Sequence, residues 1–169
     1  MNKKPLIAIT MGDPAGIGPE IIAKAFSSGE IFSHCRPVIV GNAGVMKKII
    51  DDMQLSVYVR TIGSIEETDP ASGKADVLSL ANVDLTKHLW GRPNAASGKA
   101  VVEYIKLAAQ LAVQRKADAV VTAPINKEMM NAAGFDFAGH TELLAHLTGA
   151  KDYGMLFVGG GLKVILVTI

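Results

Sequence analysis

His140, Thr141 and Glu142 lie in the segment "FAGHTELLAHL", which begins at Phe137 and runs into an apolar helical stretch. A histidine at a helix N-terminus sits at the positive end of the helix dipole. It tends to stay neutral there, ready to donate or accept a hydrogen bond. With Thr141 and the free N–H groups of the first turn it suits a phosphate or a hydroxy acid. The alternative is that His140 and Thr141 simply cap the helix. In "DAVVTAPINKEMM", from Asp118, Pro124 halts an apolar strand and pushes Ala123 into extended geometry. Asn126 and Lys127 then follow the strand's carboxyl end, where ligands bind in open α/β sheets. Otherwise Lys127 is a solvated lysine that opens a helix.

"MGDPAGIGPE", from Met11, follows the apolar run Pro5 to Thr10 and must turn a strand into a helix. Gly12, Gly16 and Gly18 permit positive φ and close backbone approach, and Pro19 fits the first helical turn. The spacing G-x-x-x-G-x-G is not the dinucleotide fingerprint G-x-G-x-x-G and does not license NAD binding. A tight turn with Asp13 and Glu20 solvated or capping is the plainer reading. "SGKA", from Ser97, looks like the end of a phosphate loop, but the spacing to Gly91 is wrong and Ala100 stands where a magnesium-binding hydroxyl belongs. Ser97 as a helix cap is the simpler expectation.

No nucleophile elbow, H-E-x-x-H or metal-grade cluster occurs. His146 lies six residues after His140, so the two do not share a helix face for a metal. His34, His88 and His146 read as surface or core residues. Seventeen basic against sixteen acidic residues give a net charge of +1, which argues for neither nucleic acid nor an anionic membrane. Cys35 is the only cysteine, so an internal disulfide is ruled out and a reducing cytoplasm is the expected setting. The basic start Asn2-Lys3-Lys4 and the short run after it end at Gly12-Asp13-Pro14, too soon for a signal or a membrane span.

The elements that must position these residues alternate. Strands are expected at Leu6 to Thr10, Val38 to Gly41, Leu55 to Thr61, Val77 to Leu80, Ala119 to Thr122, Gly154 to Val158 and Leu162 to Ile169. Helices are expected at Gly18 to Phe26, Ala43 to Met53, Gly98 to Arg115 and Thr141 to Leu147. The alternation predicts an α/β layer fold with a mainly parallel sheet flanked by helices. In the longest helix Val101, Ile105, Ala108 and Ala112 share the face that should be core. Ala81 to Ala96 loses periodicity, so a long loop is expected there, and such loops are often functional. Leu162 to Ile169 reads as a buried strand with no exit turn, which predicts a fragment of a longer chain.

Taken together, "MGDPAGIGPEI", "SGKA", "TAPINK" from Thr122 and "GHTE" from Gly139 resemble the 4-hydroxythreonine-4-phosphate dehydrogenase family, including its D-threonate and D-erythronate 4-phosphate relatives, over essentially all 169 residues. The resemblance implies a fold like that of isocitrate and isopropylmalate dehydrogenases, with residues 1–169 as the amino-terminal α/β part of a longer two-domain homodimer. It implies NAD- or NADP-dependent oxidation, with decarboxylation, of 4-phosphohydroxy-L-threonine or D-threonate 4-phosphate. A free-standing phosphate-ligand binding module without catalysis is the alternative. By resemblance His140 and Thr141 bind substrate, and Asn126 and Lys127 join them. Gly12, Asp13, Gly16 and Gly18 border the cofactor cleft. No catalytic residue is assigned. The divalent metal (Zn, Mg, Mn or Co) is expected to find its ligands beyond Ile169, so this chain alone should have little or no dehydrogenase activity.

Overall fold

The structure, a computed structural model, describes residues 4–166. Along the chain run β1 (Leu6–Thr10), α1 (Gly18–Ser28), α2 (Ile31–His34), β2 (Arg36–Gly41), α3 (Ala43–Asp52), β3 (Tyr58–Ile62) and β4 (Lys74–Ser79). After them come α4 (Ala95–Val113), β5 (Ala119–Thr122), α5 (Lys127–Ala132), α6 (His140–Thr148), β6 (Leu156–Gly159) and β7 (Leu162–Ile165). The first five strands form one parallel sheet in the order β3-β4-β2-β1-β5. Nearly all of β1 and β2 is buried, as expected of strands covered on both faces. Helix α4 packs across β1, β2 and β5, while α1 packs on α3.

The order of the sheet places the site. After β1 the chain moves to β2, β3 and β4 on one side, and it returns through α4 to β5 on the other. The gap between β1 and β5 is therefore a topological switch point, and the crevice at the strands' carboxyl ends is where such sheets bind ligands. The loops carrying Gly12–Gly18 and Pro124–Lys127 both open there.

A second, smaller core of Val101, Val102, Ile105, Met130 and Leu143 joins α4 to α5 and α6. A Cβ on Gly98 would overlap the Met129 backbone, so α4 and α5 touch backbone to backbone. Of the face expected to be core, Val101, Ile105 and Ala108 are fully buried and Ala112 is half-buried.

Several expectations need correction. Ser97 is not the N-cap of α4. Asn94 is, accepting a 3.0 Å bond from the Ser97 N–H, while the Ser97 hydroxyl accepts from the Asn94 N–H at 3.1 Å. The helix therefore starts earlier, with Ser97 as the third residue of a reciprocal capping box. Strand β3 begins at Tyr58 rather than Leu55. The short helices α2 and α5 carry too few residues to display a helical period.

The strand expected at Leu162 to Ile169 exists as β7 but is not buried. It pairs antiparallel with β6 through the positive-φ pair Gly160 and Gly161, and the side chains of both strands are exposed. Apolar spacing identified the extended chain, but burial needs a covering layer, and none of the described residues supplies one. Residues 167–169 of that expected strand lie outside the described residues.

Candidate functional site

The loop after β1 is held by its backbone. Gly12 has φ +72°, and a Cβ there would collide with the Pro124 carbonyl. That contact lets the Asp13 N–H donate to the Pro124 carbonyl at 3.0 Å, joining the loops of β1 and β5. Asp13 is 3% exposed, which overturns the solvated alternative. Its Oδ1 accepts from the Ala15 N–H at 2.8 Å and its carbonyl accepts from the Gly16 N–H at 2.9 Å, a local turn that fixes the loop. Gly16 and Gly18 do not use positive φ. Gly18 is instead small because the Met11 carbonyl lies where a side chain would go. Glu20 faces solvent and pairs with Lys24 at 2.6 Å.

His140 opens α6, but neither it nor Thr141 caps the helix. Gly139 holds the cap position and no side chain bonds there. The His140 Nε2 atom is buried, with no hydrogen-bond partner among the described residues. Burial, chiefly, and the nearby Lys127 charge hold its pKa below the ordinary histidine value, against the opposing pull of the Ala123 backbone. The neutral state is the one expected for His140, with burial rather than the helix dipole as its main cause.

Lys127 begins α5 and is exposed, yet its chain folds back over α6. A Cβ on Gly139 would lie 3.3 Å from Lys127 Cε, 3.5 Å from Nζ and 3.7 Å from Glu142 Oε2. Asn126 is the N-cap of α5, its side-chain oxygen accepting from the Met129 N–H at 3.1 Å, and among the described residues its NH₂ group has no acceptor. Lys127 and His140 are thus brought together, and Asn126 stands beside them in the chain. The Gly12–Gly18 loop reaches this cluster through Ala123 and Pro124, the segment leading into Asn126.

Two features of the site carried no signal in the sequence. Thr10, at the carboxyl end of β1, is fully buried, with Oγ1 unpartnered among the described residues; inside a β-branched run a threonine cannot be told from a packed valine. His88, read as a surface or core residue, lies at the Gly12–Gly18 loop, with Nε2 2.8 Å from the Pro14 carbonyl. Among the described residues no three His, Cys, Asp or Glu side chains group closely enough to hold a metal ion. No helix there is long and apolar enough to cross a membrane.

The chain is similar to known proteins over nearly its whole length. A protein of Symbiobacterium thermophilum, "Putative D-threonate 4-phosphate dehydrogenase", is 41% identical over 99% of this chain and 50% of its own. The crystal structure of a 4-hydroxythreonine-4-phosphate dehydrogenase from Burkholderia phymatum superposes with a TM-score of 0.92 at 37% identity, covering 99% of this chain and 50% of the other. A terephthalate 1,2-cis-dihydrodiol dehydrogenase from Burkholderia xenovorans matches with a TM-score of 0.73 at 30% identity, covering 96% of this chain and 47% of its own. The chain spans about half the length of these relatives. The family model described as pyridoxal phosphate biosynthetic protein PdxA matches residues 33–169. Motif order, the parallel sheet and these matches agree: the chain belongs to the PdxA family.

Proposed function

We propose that this chain carries the substrate-binding part of an NAD- or NADP-dependent dehydrogenase that oxidises a phosphorylated four-carbon hydroxy acid, 4-phosphohydroxy-L-threonine or D-threonate 4-phosphate, with decarboxylation. The carrying observation is the buried Nε2 of His140, unpartnered among the described residues, with the Lys127 side chain lying over the adjacent Gly139, at the switch point of a parallel sheet. A neutral imidazole there exchanges a hydrogen bond with a substrate hydroxyl or phosphate oxygen. In this reading Lys127 supplies the positive charge that a phosphate or carboxylate requires, and Thr141 and the Asn126 NH₂ group orient the ligand. Asp13, Gly12, Gly16 and Gly18 keep the bordering loop in one conformation.

The divalent metal of this reading polarises the alcohol oxygen during hydride loss. The described residues offer it no ligand cluster, so their part is to bind and orient the substrate. The reading includes residues 1–169 as the amino-terminal part of a two-domain, cytoplasmic homodimer.

The test pairs the intact mass of the purified protein with NAD and NADP reduction on both substrates in the presence of added divalent metal. Metal-dependent turnover supports the dehydrogenase and selects its substrate. Binding of either phosphorylated acid without turnover, by a protein whose intact mass is well above 17.8 kDa, supports the binding-module reading instead. His140→Ala should weaken substrate binding about tenfold or more, the loss expected for a buried hydrogen bond. Undiminished binding by that variant would remove His140 from the site.

A further inference from the structure

The loop after β1 has a second hold besides the Pro124 carbonyl. Both hydrogen bonds within its turn end on Asp13, whose Oδ1 accepts from the Ala15 N–H and whose carbonyl accepts from the Gly16 N–H. The next two carbonyls, of Pro14 and Ala15, are taken by one short segment of the loop between β4 and α4. His88 Nε2 lies 2.8 Å from the Pro14 carbonyl, and the Gly91 N–H donates to the Ala15 carbonyl at 2.8 Å. A carbonyl oxygen only accepts, so Nε2 carries the hydrogen of that bond. His88 Nδ1 is buried with no partner among the described residues, so the ring's hydrogen bond is the one made by Nε2.

The gripping segment is itself fixed from elsewhere. At the start of its loop the Tyr104 hydroxyl, on α4, donates to Asn82 Oδ1 at 2.8 Å, and the reciprocal capping box of Asn94 and Ser97 holds the end. Between them Trp90 packs on the main core, and its indole N–H donates to Asp52, at the end of α3, at 3.2 Å. The His88 ring stands edge-on to Trp90, 4.4 Å between centroids and 87° between planes. A side chain locked in this way by packing can hold a partner group to within a fraction of an ångström. None of these anchors involves the loop after β1, so residues 88–91 act as a fixed reference for it.

We propose that His88 is a positioning residue for the site at the switch point: its Nε2–H, on the Pro14 carbonyl, sets the place of the loop after β1. The hold passes on through bonds already in place. Asp13, next to Pro14, donates its N–H to the Pro124 carbonyl at 3.0 Å, and Pro124 leads through Ile125 into Asn126 and Lys127. Contiguous hydrogen bonds between rigid elements are a physical route for such coupling. His88 touches no ligand in this role. Its effect on ligand affinity rests on the reading of Asn126, Lys127 and His140 as a substrate site, whereas its effect on the loop does not.

The test compares two variants of the 169-residue chain that both lose the ring. His88→Gln keeps an N–H donor at the reach of Nε2, and His88→Leu has none. Amide hydrogen exchange, followed by NMR, reads Asp13, Ala15 and Gly16 in the loop against Ile39 and Val40 in β2. Relative to the β2 amides, the loop amides of His88→Leu should exchange about tenfold faster than those of His88→Gln, the loss of one hydrogen bond. Equal loop exchange in the two variants would overturn the inference. So would acceleration of loop and β2 amides by the same factor, which marks a global loss of stability instead. Calorimetric titration of the folded variants with 4-phosphohydroxy-L-threonine and D-threonate 4-phosphate then reads the site. His88→Leu should bind the acid that the unaltered chain takes about tenfold more weakly than His88→Gln does. Equal affinities would also overturn the inference, because the place of the loop would then not matter to the ligand. Binding of neither acid by the unaltered chain would remove the substrate reading, while hydrogen exchange would still decide the role of His88 at the loop.

Discussion

Strands β1 and β2, "LIAIT" and "RPVIVG", and the hairpin strands β6 and β7, "LFVG" and "LKVI", are all mostly or half apolar, the hairpin no less than the sheet pair. The first pair is buried almost throughout, with Val38, Ile39 and Val40 wholly shielded. In the hairpin every residue is exposed, Phe157 at 54% and Val158 at 67%. The difference lies in the neighbours. β1 and β2 sit mid-sheet beneath packed helices, whereas β6 and β7 pair only with each other and no described layer covers them. Apolar content and alternation specify an extended chain, and burial is a property of the layer that meets it.

The sharpest test of this contrast applies one substitution to both regions. Phe26, on α1 in the core that buries β1 and β2, is 1% exposed and edge-packed on Phe32, and its replacement by alanine should cost about 3–5 kcal/mol. Phe157→Ala in the 169-residue chain should stay within about 0.5 kcal/mol. Urea denaturation measures both, and equal losses would mean that the hairpin is packed as well as the sheet.

Gly98→Ala asks whether the layer of α5 and α6 is truly close-packed on α4. The added methyl would occupy the place of the Met129 backbone, which cannot rotate away as a side chain would. A loss of about 1–3 kcal/mol is expected from overpacking. An unchanged midpoint would show α5 to be loosely seated and closer in character to the hairpin.

The smallest effect concerns His140, at the edge of that layer. Burial and Lys127 hold its folded pKa down, so the unfolded chain binds the proton more readily. Its contribution to stability is complete above the unfolded value of about 6.5 and declines as pH falls through the folded pKa, levelling off below it. An NMR titration of the imidazole should show a midpoint below about 6.5, rising in Lys127→Met. An ordinary midpoint, unmoved by that variant, would place His140 in an environment as open as the hairpin's.

Much of the fold was legible in the residues. Leu6 to Thr10 and Ala119 to Thr122 were expected as strands and have those bounds, and α1, α3, α4 and α6 begin within three residues of expectation. Period and punctuation are local, so a short window carries them. The same window shows that Gly12-Asp13-Pro14 must turn and that His140 follows a glycine. It could not show that Asn94 rather than Ser97 caps α4, because both are good caps and the choice depends on where the preceding loop leaves the helix.

What linear order could not convey is proximity. That Gly12 is small because of Pro124, more than a hundred residues on, and that Lys127 bends over Gly139, follows from strands β1 and β5 lying side by side. The unpartnered nitrogens of His140 and His88 are likewise products of assembly: hydrogen-bond satisfaction and burial depend on atoms from distant segments. Residue types limited the chemistry available to this chain. Packing chose which of those side chains meet, and which polar atoms are left facing a ligand, because the interactions that make that choice act through space at a few ångströms and ignore separation along the sequence.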